Sequence, residues 1–218
     1  MITEYSLYDI SMSDEEVRQN LKKAADFEIS SVSVFNNHIK LAKNIFNDNV
    51  KISTPIDYPL GILDSKTRIA SIESAIKSGA DIINITACPY LLCNRRYDKF
   101  REDIKNNLEL AQKYQISIRY ILEYRVFTYE LLYKVAQILI NGGIDTIYPS
   151  TGYLLDDIHD NILASALINK KVPMINIICN GNIWNIGQIQ NIYKTNLYGI
   201  KVNSINALKL LQENKLKS

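Results

Sequence analysis

Residues 128–152 read TYELLYKVAQILINGGIDTIYPSTG. Thr128 is placed to open a helix that runs to Asn141, and Gly142-Gly143 stops it. Directly after the glycines comes a short β-branched run near 144–149, in which Thr146, Tyr148 and Ser150 share one face by period-two alternation. A helix delivered into a short apolar strand is half of a βαβ unit, and repetition of that unit makes a parallel sheet.

The same alternation recurs in both directions along the chain. Strands are predicted near residues 4–10, 29–35, 50–55, 81–87, 116–123, 144–149, 173–178 and 197–202. Ser13-Asp14-Glu15-Glu16 opens the first helix with a cap and an acidic first turn. Asp64 precedes a helix near 65–78 that Gly79 ends, and Asp98 to Tyr114 carries Phe100, Ile104, Leu108 and Ala111 on one face. Asp156-Asp157 and Asn203-Ser204 open two further helices, and another is placed near 184–195. Eight strands separated by helices imply an α/β protein, a single (β/α)8 TIM barrel formed by residues 1–218 as one domain. An open doubly wound sheet is the topological alternative. The length of 218 residues suits a barrel of about 200 residues or more.

Bulk composition narrows the partners. Apolar residues make up 47% and charged residues 22%, an ordinary globular balance. The net charge of +2 is spread along the chain, so neither nucleic acid nor an anionic membrane is the expected partner. The 22 Asn are interspersed with Ile and Leu and form no prion-like tract. Three cysteines (Cys88, Cys93, Cys179) and two histidines (His38, His159) fit neither a zinc site nor a disulfide framework. They point to a reducing cytoplasm, with no metal and no cofactor expected. Met1-Ile2-Thr3-Glu4 has no signal-peptide character, and no run is long enough for a membrane span. Asn84-Ile85-Thr86 spells a glycosylation sequon inside an apolar strand, where it reads as accidental.

The active site of such a barrel lies at the C-terminal ends of its strands. The polar residues expected there are Asn84 and Thr86 on strand four, Arg119 and Glu123 on strand five, and Tyr148 and Ser150 on strand six. Strand seven runs into Asn180-Gly181-Asn182, and strand eight into Lys201-Val202-Asn203-Ser204. Tyr148, Asn84 and Arg119 are expected to point inward. Each has a plainer reading. Arg119 and Glu123 would pair as charges closing the barrel, Tyr148 would be a filler with its hydroxyl at the wet rim, and Asn84 would be a satisfied buried amide. His38 and His159 read as surface residues.

Four segments, taken in order, resemble the deoxyribose-phosphate aldolase family. Asp57-Tyr58-Pro59-Leu60-Gly61 resembles its Phe-Pro-Leu-Gly turn. Gly79-Ala80-Asp81-Ile82-Ile83-Asn84 resembles the start of its fourth strand, and Arg119-Tyr120-Ile121-Leu122-Glu123 its Lys-Val-Ile-Leu-Glu strand. Gly143 to Gly152 is similar, with matched spacing, to Gly-Ala-Asp-Phe-Ile-Lys-Thr-Ser-Thr-Gly. The resemblance spans about residues 4 to 212 and implies the barrel fold and a class I aldolase lineage.

It also implies lost chemistry. The family's imine-forming lysine falls on Tyr148, and a phenol forms no imine. Its proton-relay aspartate falls on Asn84, an amide. Its second lysine falls on Ile178 or Asn176, its strand-one aspartate on Ser6 and its strand-two cysteine on Ser33. The nearest other lumen lysine is Lys201, at the phosphate-loop position. The phosphate end is half kept: Gly181 remains, Asn182 and Lys201 stand where the family has glycine, and Asn203-Ser204 opens a helix.

The implied function is an altered aldolase homologue, a pseudoenzyme that binds a small molecule, phosphorylated or carbonyl-bearing. One alternative is a lyase or other enzyme of non-imine chemistry. In it Tyr148 would act as acid or hydrogen-bond donor, and Arg119 and Glu123 would orient the substrate. Another is a structural or interaction protein that uses its outer helices. A homodimer is also expected, through Tyr124, Phe127, Tyr129 and Tyr133.

Overall fold

A computed structural model describes residues 1–154, 157–195 and 197–215. Eight strands alternate with helices in chain order. The strands are β1 (Ile2–Leu7), β2 (Ser31–Val34), β3 (Lys51–Ile56), β4 (Ile82–Thr86), β5 (Ser117–Ile121), β6 (Thr146–Tyr148), β7 (Asn176–Asn180) and β8 (Gly199–Val202). The helices are α1 (Asp14–Ala24), α2 (Ile39–Ile45), α3 (Ser65–Ser78), α4 (Pro89–Cys93), α5 (Tyr97–Tyr114), α6 (Tyr129–Asn141), α7 (Ile158–Lys171), α8 (Ile186–Tyr193) and α9 (Ile205–Lys215). Each strand pairs in parallel with the next, and β8 returns to β1, so the sheet closes. The (β/α)8 barrel expected from the sequence is the fold, and the open sheet is not.

The caps read from the sequence form. Ser13 and Glu16 make a reciprocal capping box, and Asp64 and Thr128 cap α3 and α6 through their side chains. Gly79 ends α3 with φ 101°, a left-handed turn that disfavours a side chain. Asp157 caps α7, and Asp156 lies outside the described residues. A capping box of Asn185 and Gln188 starts α8 inside the expected 184–195 window.

Two strand boundaries move for local reasons. β1 ends at Leu7 because Asp9 folds the chain into a turn, accepting from the Ser11 backbone N–H (2.9 Å) and hydroxyl (2.6 Å). β7 begins at Asn176, not near 173, because Pro173 sits in a turn closed by Ile175 N–H to Val172 O (3.2 Å).

The two faces of the sheet differ in chemistry. Val32, Ile52, Ile83, Ile147, Ile177 and Ile200 face the helices and belong to one large apolar core. The inner face is polar for most of its length: Glu4, Ser31, Ser33, Asn84, Arg119 and Lys201 hydrogen-bond to other inward side chains. A small apolar group of Ile121, Tyr148 and Ile178, flanked by Ile2 and Tyr58, packs apart from the helix-facing core. A barrel lumen filled by branched aliphatics would be the ordinary arrangement. Here the polar lumen is stabilised by pairing, since an unpaired buried polar group costs about 1–3 kcal/mol.

A second buried network lies outside the barrel. Arg68 of α3 bridges Asp57 and Asp103 at 2.7 Å each, and Tyr120 and Asn107 complete the cluster. It pins the turn after β3, where Asp57 also accepts from the backbone N–H groups of Ile62 and Leu63. The amphipathic face expected on α5 is present, but Asp103 and Asn107 are buried beside it for this network. The aromatic patch expected for pairing is largely not a surface. Phe127 is buried, Tyr124 and Tyr133 pack on the core, and only Tyr129 of the four is exposed.

Candidate functional site at the barrel mouth

The lumen centre is built on Glu4. β1 places it opposite Ser31 of β2 and Lys201 of β8. Fully buried, it accepts from Arg119 Nη1, from the Tyr148 hydroxyl at 2.8 Å and from the Ser31 hydroxyl at 2.8 Å. Arg119 Nη1 also donates to the Tyr148 oxygen at 2.9 Å. Burial opposes the charge of Arg119, but Tyr148 and Glu4 outweigh it and raise its pKa. Burial first, and then the Glu4 charge, push the Tyr148 hydroxyl well above its ordinary value, so it stays a phenol.

The expected Arg119–Glu123 charge pair is therefore not formed; the partner of Arg119 is Glu4. Glu123 lies two residues past the end of β5. Its carboxylate is held by the Thr151 N–H (3.1 Å), the Thr151 hydroxyl (2.6 Å) and the Arg125 N–H (3.3 Å). Ser150 is also occupied locally, accepting from Gly152 N–H at 2.9 Å. Asn84 does point inward, donating to Ser33 and Ser53 at 3.3 Å each, while its carbonyl oxygen and the Thr86 hydroxyl have no protein partner. The sequon it begins is buried within β4.

Above this layer a cavity of about 390 Å³ opens at the C-terminal ends of β1, β7 and β8. Ser6, Tyr8, Asn180, Lys201 and Asn203 are among its lining residues, as are Gly152, Gly181 and Asn182. Gly152 sits at φ 72°, and a Cβ there would lie 3.2 Å from the Asn180 amide nitrogen. Gly181 is constrained from behind, since a Cβ would meet Ile158 of α7 at 2.8 Å. Asn203 donates to Asn182 at 2.8 Å and ties the two loops together. Ser204 caps α9, its oxygen accepting from Ala207 N–H at 3.1 Å, and it does not line the cavity.

Lys201 is the cation of this cavity. Its side chain is 4% exposed, and its ammonium lies 4.6 Å from the centre of the Tyr8 ring and 4.7 Å from that of Tyr148. It donates to the Tyr8 hydroxyl at 3.0 Å. Among the described residues no carboxylate lies within ion-pairing distance of it. Burial lowers its pKa to about 8; the Glu4 charge opposes the shift and Arg119 adds to it. Tyr8, hydrogen-bonded to Ser33, is itself held protonated by burial. Around the rim, Tyr8, Phe35, Tyr58 and Tyr153 form a chain of ring contacts of 5.1–6.3 Å. The Tyr58 hydroxyl donates to Thr151 O at 3.1 Å.

No family model matches the chain. A curated deoxyribose-phosphate aldolase of Staphylococcus carnosus is 30% identical over 144 residues, covering 64% of this chain and 63% of that one. That of Caldicellulosiruptor saccharolyticus is 27% identical over 63% of this chain and 64% of its own. The chain is similar in sequence and in fold to deoxyribose-phosphate aldolases. It matches a little under two thirds of the length of those two relatives. The deoxyribose-phosphate aldolase of Mycoplasmoides pirum aligns over 96% of this chain and 94% of its own, at 24% identity. Among solved structures, "QR15, an Aldolase" superposes with a TM-score of 0.86 at 21% identity, covering 98% of this chain and 96% of that one. The deoxyribose-phosphate aldolase of Aeropyrum pernix, described as a unique tetramer, gives 0.82 at 17% identity over 99% and 90%.

Sequence reasoning missed Glu4 and Tyr8. Glu4 shares its inward parity with Ser6, which the resemblance had marked, so a two-residue step back along β1 would have reached it. Tyr8 follows β1, and nothing in its local sequence marks it.

Proposed function

We propose that this barrel binds a small metabolite bearing an anionic group, a sugar phosphate being the class that fits, and that it runs no imine chemistry at residue 148. The observation that carries this reading is Lys201. Among the described residues it is a buried cation without a carboxylate partner, and it lines a cavity whose other walls carry amides, hydroxyls and glycines together with Leu7, Met12, Leu154 and the Asp9 carboxylate. Asp9, the acid on the rim, is turned to Ser11. Barrels commonly hold phosphate at the ends of strands seven and eight, where Gly181, Asn182 and Asn203 lie. The similarity to deoxyribose-phosphate aldolases supports a phosphorylated sugar.

The runner-up, acid catalysis by Tyr148 with Arg119 and Glu123, has less support. Tyr148 both donates to Glu4 and accepts from Arg119, and none of the three lines the cavity. Self-association as a pair belongs to the same reading, with Tyr129 as its exposed aromatic, and light scattering at micromolar concentration tests it.

The test of the binding reading uses 2-deoxyribitol 5-phosphate, a sugar phosphate without a carbonyl, titrated into the full chain and followed by amide NMR. Shifts at Gly181, Asn182 and Asn203 that saturate at millimolar concentration or below are expected. Their absence would overturn the binding reading.

A further inference from the structure

We propose that the ligand of this cavity carries a flat ring at the end away from its anionic group, a nucleoside monophosphate being the class of sugar phosphate that fits. The ring would be received by an aromatic clamp of Tyr58 and Tyr153, a proposal that rests on the binding reading above and adds a second point of contact to it.

The lining of the cavity is of two kinds. Lys201, with Asn180, Asn182 and Asn203 at the ends of β7 and β8, supplies a cation and amides. Met12, Tyr58, Tyr153 and Leu154 supply apolar surface. The Tyr8 ring joins the two. The Lys201 ammonium lies 4.6 Å from its centre and the Tyr58 ring 5.1 Å from it, with Tyr153 one ring further along, 6.3 Å from Tyr58. An open-chain sugar phosphate whose phosphate meets Lys201 offers only hydroxyls beyond it, and hydroxyls leave the apolar lining uncovered. A flat ring on the far carbon of the sugar covers it and takes apolar surface out of water on both partners.

The two tyrosines are fixed before any ligand arrives, and both are tied to Thr151. The Tyr58 hydroxyl donates to the Thr151 carbonyl oxygen at 3.1 Å, and the Tyr153 N–H donates to the Thr151 hydroxyl oxygen at 3.1 Å. Thr151 is buried and anchored in turn on Glu123, through its N–H at 3.1 Å and its hydroxyl at 2.6 Å. Between Thr151 and Tyr153 the chain turns at Gly152, φ 72°, whose N–H is held by Ser150 at 2.9 Å. The Tyr58 and Tyr153 rings meet nearly at right angles, 86° between their planes. That contact covers little of Tyr153, which stays 64% exposed at the cavity mouth. A large ring presented to water by a pinned backbone binds a stacking partner at low cost in ordering. Stacking of a base on an aromatic side chain tightens binding by about ten-fold or more.

The test titrates thymidine 5′-phosphate and 1,2-dideoxyribose 5-phosphate, the same closed sugar phosphate without the base, into the full chain and follows amide NMR. The nucleotide should bind about ten-fold tighter or more. It should also shift Gly152 and Tyr153 in addition to Gly181, Asn182 and Asn203. In Tyr153→Leu, which keeps an apolar side chain but no ring, the two affinities should come within about three-fold of each other. Tyr153 is largely exposed, so this variant keeps the fold, which its circular dichroism spectrum checks. Equal affinities in the wild type, or a preference for the nucleotide that Tyr153→Leu leaves intact, would overturn the proposal. If 2-deoxyribitol 5-phosphate binds in that case, only the ring assignment fails. If neither the alditol phosphate nor the nucleotide binds, the cavity reading fails with it.

Discussion

Replacing Lys201 by Met should stabilise this protein at neutral pH, and the gain should vanish in alkali. Lys201 sheds its proton near pH 8 in the folded chain, against 10.5 for the free side chain. Between those values the unfolded chain holds the extra proton, so wild-type stability rises with pH across that window. Below about pH 8 both states are protonated and the whole penalty of burying the ammonium is present. The gap of about 2.5 units corresponds to about 3 kcal/mol at about 1.4 kcal/mol per unit. Met loses the hydrogen bond to Tyr8, worth about 1 kcal/mol, so the net gain at pH 7 is about 2 kcal/mol. The pH dependence isolates the effect better than either absolute stability, since titration of groups common to both chains largely cancels in the difference. Urea unfolding followed by circular dichroism at pH 7, 8, 9 and 10 gives that difference directly. The wild type should gain on Lys201→Met by up to about 3 kcal/mol across this range. A difference constant to within about 0.5 kcal/mol would refute the reasoning, because Lys201 would then titrate like an exposed lysine.

Other substitutions probe the elements around it. Arg119→Met leaves Glu4 buried without its cation and should cost about 3–5 kcal/mol in urea unfolding. The double variant Glu4→Leu with Arg119→Met should recover most of that loss, and a double variant no better than the single would count against the pairing. Arg68→Met removes the bridge between Asp57 and Asp103, so a loss of about 3–5 kcal/mol is expected, read as a drop in the urea midpoint. Gly152→Ala forces a side chain into a left-handed conformation beside Asn180, which should cost about 1–3 kcal/mol and weaken alditol phosphate binding. Unchanged affinity in that variant would detach Gly152 from the cavity.

The resemblance and the periodicity located the barrel and most of its helix ends, because these depend on neighbours in sequence. Ser13, Asp64 and Thr128 cap their helices through bonds that span three residues, and Gly79 ends α3 through its own φ. The alternation that put Thr146 and Tyr148 on one face is local in the same sense. Inward direction for Tyr148, Asn84 and Arg119 followed once the barrel was assumed, since a parallel strand in a barrel has only two faces.

The partners of those inward groups depend on the tertiary structure alone. Arg119 and Glu123 are close in sequence and look like a pair, yet β5 ends between them and Glu123 turns to Thr151. The acid that Arg119 meets is 115 residues away on β1, brought opposite by closure of the sheet. Lys201 read as a phosphate-loop residue from its position in the chain. Its place in the lumen and the two rings beside its ammonium arise only when β8 pairs with β1. Proton affinity follows from burial and from charges a few ångströms away, and both are set by contacts between distant segments of the chain.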